Sequence, residues 1–295
     1  MLKTVLTLCM TLMLAVPAFA DVKVVATLPW IASIVKEIGK NHVTVTTLVK
    51  PTQDPHYLEA KPSMVLAARR ADMLIYNGLD LEIGYLPVVI ESSKNPKIAP
   101  GKLGNFDCGR FVKVIEKLDN ADRSMGDVHP AGNPHYHYSP STVLRVAEGM
   151  MHGLSEIDPA NASAYRANFK LLSARFAAKQ RGWQAAAAHL RGKNYVAYHK
   201  HFSYLAKEYG FKIVGYLEPK PGLPPTASHI QELVGMMKSK KVDGILTAVF
   251  YSKTGTNSLS GKTGVKVITL PPDVGAGSRG EDYFAFMDKT LALLR

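Results

Sequence analysis

The chain of 295 residues has little cysteine. It contains two cysteines, of which Cys9 lies in a segment that we expect to be removed, so Cys108 would remain alone. A single thiol can form neither an intramolecular disulfide nor a cysteine-rich zinc site. Any transition metal would therefore have to be bound by histidine and carboxylate side chains, and stability would have to come from apolar cores, for which the length suffices.

Long apolar runs are also absent, apart from a short one at the start. Lys3 gives a positive beginning, Val5 to Val16 is mostly apolar, and Ala18-Phe19-Ala20 has the small-x-small pattern of a cleavage site. The apolar stretch is too short to span a bilayer. We interpret residues 1–20 as an export signal, and we expect cleavage after Ala20 to give a soluble periplasmic protein without a lipid anchor.

Acidic residues are scarce relative to basic ones: 24 aspartates and glutamates stand against 36 lysines and arginines, a formal net charge of +12. An excess of this size often indicates nucleic-acid binding. The predicted export signal argues against that partner, and the basic residues are scattered over amphipathic helices as solvated faces usually are. We therefore predict that the protein does not bind nucleic acid.

Strand-like and helix-like segments alternate in both halves of the chain. A strand predicted at Val22 to Leu28 is followed by a helix at Trp30 to Gly39, and the alternation restarts after residue 192. Such alternation is typical of parallel sheets covered by helices. We predict an α/β fold with two lobes, residues 21–158 and 191–295, although the halves share no visible sequence repeat.

One long helix is predicted over residues 159–190, between the two lobes. Asp158 is a suitable N-cap, and Pro159 fits the first helical position. Apolar residues recur at three- and four-residue spacing along this segment, at Tyr165, Phe169, Leu172, Phe176, Trp183, Ala187 and Leu190. A helix of about 30 residues would be roughly 45 Å long. We expect it to connect the lobes rigidly and to limit their closure.

Single histidines and a late carboxylate lie in loops that are far apart in the chain. His56, His199 and Asp273 each follow a predicted strand, whereas His135 lies in an irregular stretch before a helix. Open parallel sheets bind ligands in the loops beyond the carboxyl ends of their strands. Imidazole together with carboxylate suits borderline cations such as zinc better than calcium or magnesium. The pattern therefore predicts one site for a divalent transition-metal ion.

Five short segments resemble those of a known family. They are Asp54 to Glu59, Asn77 to Glu82, Asn133 to Tyr136, His199 to Tyr204 and Pro272 to Gly275. In this order they are similar to the zinc and manganese solute-binding proteins of bacterial ABC importers, and the resemblance covers nearly all of the chain after residue 20. Asn133 departs from the pattern, because the family usually has aspartate there.

The resemblance implies two α/β lobes, one connecting helix and a metal ion between the lobes. It implies the ligands His56, His135, His199 and Asp273, which fill a tetrahedral zinc shell. Relatives with glutamate at the third position favour manganese, so His199 favours zinc. The resemblance further implies a non-enzymatic monomer that delivers its ion to the membrane permease of an importer. A periplasmic metallochaperone is a second candidate partner.

Several alternatives stay open at this point. The same class of protein could carry manganese or iron instead of zinc. A secreted zinc hydrolase would need an open coordination position and a general base, and the chain has no His-Glu-x-x-His motif. A metal-dependent adhesin or a periplasmic metal store could use the same scaffold. The sequence also leaves open whether His129 or His137 assists metal capture.

Overall fold

Two four-stranded sheets form the framework of the protein. The computed structural model describes residues 21–118, 128–277 and 280–295, so the predicted export signal lies outside the described residues. The first sheet has the order β2-β1-β3-β4 and the second the order β6-β5-β7-β8. The strands are β1 (Val22–Ala26), β2 (Val43–Thr47), β3 (Met73–Tyr76), β4 (Asn105–Asp107), β5 (Asn194–Ala197), β6 (Lys212–Tyr216), β7 (Gly244–Ala248) and β8 (Val267–Leu270).

The two sheets share one topology. All six described strand pairings are parallel, and in each sheet the first strand lies between the second and the third. The chain therefore winds outward in one direction and then in the other, which creates a switch point at the carboxyl end of the first strand. The predicted fold of two α/β units with parallel sheets is confirmed.

Nine α-helices accompany the sheets within the described residues. They are α1 (Pro29–Gly39), α2 (Pro62–Arg69), α3 (Leu86–Ser93), α4 (Pro140–Ile157), α5 (Ala162–Ala186), α6 (Ser203–Tyr209), α7 (Ala227–Lys240), α8 (Lys253–Thr263) and α9 (Tyr283–Leu293). None of the helices in this part of the chain is both long enough and apolar enough to cross a membrane.

The connecting helix α5 is shorter than the sequence pattern predicts. Its 25 residues correspond to roughly 38 Å. Pro159–Asn161 forms a separate 3-10 turn, and the Asp158 side chain does not cap it. Its carboxylate instead accepts hydrogen bonds from the Asn161 side chain (2.8 Å) and the Tyr165 hydroxyl (2.6 Å). The α-helix therefore starts after this turn.

Helix α5 is fastened to both halves of the molecule. It packs against α1 and α4 from the first half and against α9 from the second. The Arg175 guanidinium donates to Glu37 (3.2 Å) on α1 and to Asp282 (2.7 Å) at the start of α9, and it lies 3.9 Å from the centre of the Phe284 ring. The predicted lobe boundaries stay a prediction, but α9 clearly contacts helices from outside its own predicted lobe.

The apolar core also extends across both halves. Buried side chains of the first sheet, such as Ile75, belong to the same contiguous cluster as Tyr195 and Leu246 of the second. Val196 faces the opposite side of the second sheet, because neighbouring residues of a strand point to opposite faces. It belongs to a smaller separate cluster with Leu233 of α7.

A buried carboxylate fixes the loop after β3. Glu82 accepts hydrogen bonds from the Thr27 hydroxyl (2.7 Å) and from the backbone N–H groups of Asn77 (2.7 Å) and Gly78 (3.1 Å). Burial raises the pKa of Glu82 to about 7, in spite of these three donors. The other titratable groups that face it are Tyr76, Tyr85, Asp107, Cys108 and Tyr136.

This loop supports the segment that carries His135. The Asn77 side chain donates to the carbonyl oxygen of Pro134 (3.0 Å), and the Tyr136 hydroxyl donates to the carbonyl oxygen of Asn77 (2.6 Å). The residues on both sides of His135 are thus hydrogen-bonded to the loop that Glu82 holds in place.

Candidate metal centre

The three histidines predicted as ligands lie together. The ring centroids of His56 and His135 are 5.1 Å apart, those of His56 and His199 are 5.3 Å apart, and those of His135 and His199 are 5.4 Å apart. Three imidazoles bound to one ion at tetrahedral angles, with metal–nitrogen bonds of about 2.1 Å, would place their centroids roughly 5.2 Å apart. The ring spacing therefore suits a shared zinc-sized ion.

The Nε2 atom of each of these three rings lacks a partner among the residues that the structure describes. Nε2 of His56, His135 and His199 is buried and finds no hydrogen-bond partner among the described residues. Burying a polar atom without a partner costs about 1–3 kcal/mol. Three such atoms on neighbouring rings indicate a ligand that accepts their lone pairs.

Asp54 orients the His56 ring. The Asp54 carboxylate accepts from the backbone N–H of His56 (3.1 Å), at the start of the 3-10 turn Pro55–Tyr57, and from Nδ1 of the same residue (2.6 Å). Burial raises the pKa of Asp54, but the hydrogen bonds from His56 and the proximity of His56 and His199 outweigh this effect and lower the pKa overall. Because a carboxylate can only accept, Nδ1 carries the proton and Nε2 presents its lone pair.

Glu218 does the same for His199. His199 comes just after β5, and its Nδ1 lies 2.7 Å from Oε2 of Glu218, with both side chains mostly buried. Sequence reasoning missed this glutamate. The signal that could have indicated Glu218 is its position just after β6, at the same end of the sheet as His199. Its backbone N–H donates to the carbonyl oxygen of Tyr198 (3.0 Å) and so continues the β5–β6 pairing.

Asn133 joins the loops that carry His135 and His199. Its side-chain oxygen accepts from the backbone N–H of His135 (2.9 Å), and its amide nitrogen donates to the carbonyl oxygen of Lys200 (2.7 Å) and to Glu116 (3.1 Å). An ionised aspartate could make the first contact but not the other two. Asparagine therefore adds a link between the two histidine loops.

His201 and His137 lie beside the centre and have protein contacts of their own. The His201 ring stacks on His135 with centroids 3.9 Å apart, and its Nδ1 is 3.4 Å from the Tyr251 hydroxyl. Nε2 of His137 lies 3.0 Å from the carbonyl oxygen of Pro272, and burial lowers the pKa of His137 to about 4. Both rings are buried.

Asp273 is buried beside the same cluster. Its Oδ1 atom accepts from the backbone N–H groups of Trp30 (2.8 Å) and Val274 (2.6 Å), and burial raises the pKa of this carboxyl. A small cavity is lined by Asp273 together with His135 and other residues. The carboxylate thus binds the first turn of α1, and the residue borders a cavity that His135 also borders.

His129 lies closer to the centre than the sequence indicates. One donor atom each from His56, His129 and His135 forms a set within 4.8 Å of one another. In the described part of the chain, neither His199 nor Asp273 places a donor that close to all three. Burial, followed by the proximity of His56 and His199, lowers the pKa of His129 to about 3. The ring is therefore neutral at pH 7.

These features define a two-unit α/β protein with a buried, multi-histidine centre between its halves. The family model of the zinc-uptake complex component A, periplasmic (ZnuA), matches residues 24–295. The chain belongs to this family.

Two similar proteins are named for zinc binding. The zinc-binding lipoprotein AdcA of Streptococcus pneumoniae is 24% identical over 267 residues, 88% of this chain and 52% of that protein. The zinc-binding protein AdcA of Streptococcus pyogenes is 27% identical over 291 residues, 94% of this chain and 56% of that protein. The chain thus spans about half the length of these curated relatives.

A crystal structure of ZnuA superposes with a TM-score of 0.77 at 21% identity, covering 93% of this chain and 98% of that one. A Cd-bound periplasmic metal-binding protein from Candidatus Liberibacter asiaticus gives 0.75 at 22% identity, with coverage of 93% and 98%. A Mn-bound mutant of a periplasmic metal-binding protein from the same organism gives 0.75 at 21% identity, with the same coverage. The TM-scores show that the fold is shared, and at identities this low the superpositions show the fold alone.

Proposed function

We propose that this protein captures Zn²⁺ outside the cytoplasm and delivers it to an ABC-type importer. The observation that carries the proposal is the group of three neighbouring imidazoles whose Nε2 atoms are buried without a partner in the described part of the chain. Family membership supports the transport role, and the AdcA relatives are named for zinc binding.

The predicted ligand set is part of the proposal. His56, His135 and His199 would bind the ion through Nε2, and Asp273 would supply the carboxylate. Four protein ligands leave no position for a catalytic water, so we propose a binding protein and not an enzyme. Neutral imidazoles with carboxylates behind them suit a borderline ion such as zinc.

The remaining parts of the proposal concern location and partners. We propose a monomer of the periplasm, exported by a signal cleaved after Ala20, that binds the membrane permease of its importer. A periplasmic metallochaperone that loads the site is a further candidate partner. These assignments are supported by the family and by the sequence pattern of residues 1–20.

Manganese is the second candidate ion. The observation in its favour is the carboxylates around the centre, Asp54, Glu218 and Asp273, because oxygen donors suit Mn²⁺. A structure with the same fold contains manganese. Asp54 and Glu218 contact Nδ1 atoms in the described conformation, and for this reason zinc is our first choice.

A competition titration tests the proposal. Protein processed by the cell would be stripped with a chelator and titrated with zinc and with manganese against a fluorescent chelator. We expect one tightly bound zinc ion per chain and much weaker manganese binding. His199→Ala should weaken zinc binding by at least about tenfold, because even residues behind a ligand usually contribute that much.

The matched control is His152→Ala, which removes an exposed histidine on α4. Tighter manganese than zinc binding would replace the proposed ion, and the absence of stoichiometric binding would refute the proposed function. Asp273→Ala tests the fourth ligand in the same titration: zinc affinity equal to the wild type would remove Asp273 from the ligand set.

A further inference from the structure

We propose that a cavity beside helix α3 is a second binding site of this protein, for a small organic cation with an apolar body. The cavity lies in the first half of the molecule, and among the described residues that line it none is a predicted metal ligand. The inference goes beyond the proposed function and does not depend on it.

The first support is the size and the position of the cavity. Its volume is about 730 Å³, and sites for small molecules typically have roughly 300–1,000 Å³. Tyr76 and Asp107, the last residues of β3 and β4, form part of its wall. Open parallel sheets bind ligands at this end of their strands. The cavity therefore has the dimensions and the place in the fold of a ligand site.

Much of the wall is apolar. Side chains from the loop after β3, from α3 and from the segment after α3 contribute to it, namely Leu79, Ile83, Leu86, Ile90 and Pro96. Ile83 is 68% exposed in this position. Because removal of apolar surface from water is favourable, these side chains favour a ligand that has an apolar body.

The charged part of the wall is mostly acidic, although the whole chain has a formal net charge of +12. Four carboxyl side chains line the cavity, and they belong to Asp80, Glu82, Glu91 and Asp107. The one basic side chain among its described lining residues is that of Lys94. Even with Glu82 protonated, the carboxylates outnumber the ammonium group. The charge of the wall therefore complements a cation and disfavours an anion.

Asp107 is the carboxylate that we expect to contact the cation. Burial raises the pKa of Asp107, the backbone N–H of Gly109 and the charge of Arg110 oppose this effect, and the proximity of Asp80 adds to it. Arg110 is exposed and is not one of the residues that line the cavity. A cation near both aspartates would offset their repulsion and the loss of solvent around Asp107.

The Tyr76 hydroxyl adds an acceptor to the same end of the cavity. It donates to Oδ1 of Asn105 (3.1 Å), so its own oxygen can accept from an ammonium group. Burial, followed by the proximity of Asp107 and Glu82, raises the pKa of Tyr76 to about 12. The hydroxyl is therefore neutral at pH 7 and lies close to the carboxyl groups.

The loop after β3 gives the cavity a preformed wall. Gly78, Leu79 and Asp80 follow one another with φ of +77°, +54° and +63°. Such values are uncommon outside glycine and persist where the surrounding structure enforces them. Glu82 holds this loop through its three hydrogen bonds, and a Cβ atom added at Gly78 would collide with the carboxylate of Asp107. The loop and the carboxylate are thus fixed against each other.

Three molecules with the same indole ring and different terminal groups test the site. Tryptamine carries an ammonium group at pH 7, 3-propylindole is neutral, and indole-3-propionate is an anion. Processed protein, treated with a chelator so that the amine cannot bind a metal ion, would be labelled with ¹³C in its isoleucine methyl groups and titrated by NMR. We expect tryptamine to shift the signals of Ile83 and Ile90 with a Kd below about 1 mM. The signal of Ile245, which is buried in β7 of the second sheet, should not move.

The charge of the ligand and of the wall should both matter. The neutral and the anionic indole should bind at least about tenfold more weakly than tryptamine. Asp107→Asn keeps an oxygen that accepts from Gly109 but removes the charge, and it should weaken tryptamine binding by a similar factor. Glu232→Gln, which removes an exposed carboxylate from α7, should leave the Kd unchanged. Ile83→Lys changes an exposed position, so it tests the site even if Asp107→Asn folds poorly, and it should weaken the binding of tryptamine alone.

Two results would overturn the inference. If the signals of Ile83 and Ile90 did not move at about 10 mM tryptamine, tenfold above the expected limit, the cavity would not be the site. If the three indoles bound equally well, the carboxylates would not select a cation. Zinc takes no part in this titration, so either failure would leave the proposed function intact, and a chain that binds no zinc would leave this inference standing.

Discussion

The carboxylate of Glu218 offers the sharpest test of how the centre is built. Glu218→Gln keeps the size of the side chain but removes its charge. In the wild type, Oε2 of Glu218 lies 2.7 Å from Nδ1 of His199 in a mostly buried contact. The carboxylate keeps the proton on Nδ1 and leaves the Nε2 lone pair for the ion. A glutamine can accept or donate, so it permits either tautomer.

The size of the effect follows from this geometry. Partners behind metal-bound histidines typically contribute 10- to 100-fold in affinity, which corresponds to about 1.4–2.7 kcal/mol. Because solvent cannot replace the buried carboxylate, we expect Glu218→Gln to weaken zinc binding within this range. The assay is the chelator competition described above, with thermal unfolding of the metal-free protein to verify that the variant folds.

A second histidine–glutamate contact supplies the control. Glu232 lies 3.8 Å from Nδ1 of His229, but its side chain is 72% exposed. Glu232→Gln should leave the zinc Kd unchanged. If Glu218→Gln also stayed within about twofold of the wild type, His199 would not bind the ion in the way we describe.

Two further predictions concern stability. The pKa of Glu82 is about 7 in the fold, against an ordinary value of 4.5, so the folded protein binds a proton more tightly than the unfolded chain. Its contribution is fully present below pH 4.5 and is lost as the pH rises through 7, a change on the order of 3 kcal/mol. Urea unfolding of Glu82→Gln without metal should lack this decline, and an unchanged pH dependence would contradict the assignment. Phe176→Ala should lower the free energy of unfolding by about 3–5 kcal/mol, because this 2% exposed ring packs on Phe284 at 4.8 Å. Leu171→Ala, at a 70% exposed position on the same helix, should change it by less than about 0.5 kcal/mol; equal losses would show that Phe176 does not fasten α5 to α9.

Sequence periodicity predicts much of the fold where local signals and burial agree. The predicted strand at Val22 to Leu28 and helix at Trp30 to Gly39 correspond to β1 (Val22–Ala26) and α1 (Pro29–Gly39), because both segments bury most of their apolar side chains. The polar helix α8 and the three-residue strand β4 were not predicted. Helix α8 has no continuous apolar stripe, and β4 is defined by its pairing with β3.

The centre was predictable to the extent that its residues come at strand ends. His56 and His199 follow parallel strands, and the structure brings both next to His135. Glu218 has the signal of its place just after β6, but its contact with His199 follows only once β5 and β6 are paired. His129 lies in a polar loop, and only the tertiary structure reveals that its ring is buried against His56.

The arrangement of α5 leads to a prediction about metal release. Arg175 connects α5 to Glu37 and Asp282, the apolar core runs through both sheets, and Asn133 links the His135 loop to Lys200. The Arg175 ion pairs and the apolar core lie away from the predicted ligands, so removal of the ion should not break them. Small-angle scattering of metal-free and zinc-loaded protein should therefore give radii of gyration within about 1 Å of each other, near the 19 Å or so expected for a compact chain of this length.

A large compaction on zinc binding would contradict this reasoning, because it would require the two halves to separate without metal. The Arg175→Ala variant distinguishes the sources of rigidity. If the ion pairs on α5 hold the halves together, this variant alone should show a metal-dependent change in size. If the continuous apolar core is sufficient, which we expect because Arg175 is 43% exposed and surface ion pairs contribute little, the variant should behave like the wild type. Release of the ion would then depend on local movement of the histidine loops.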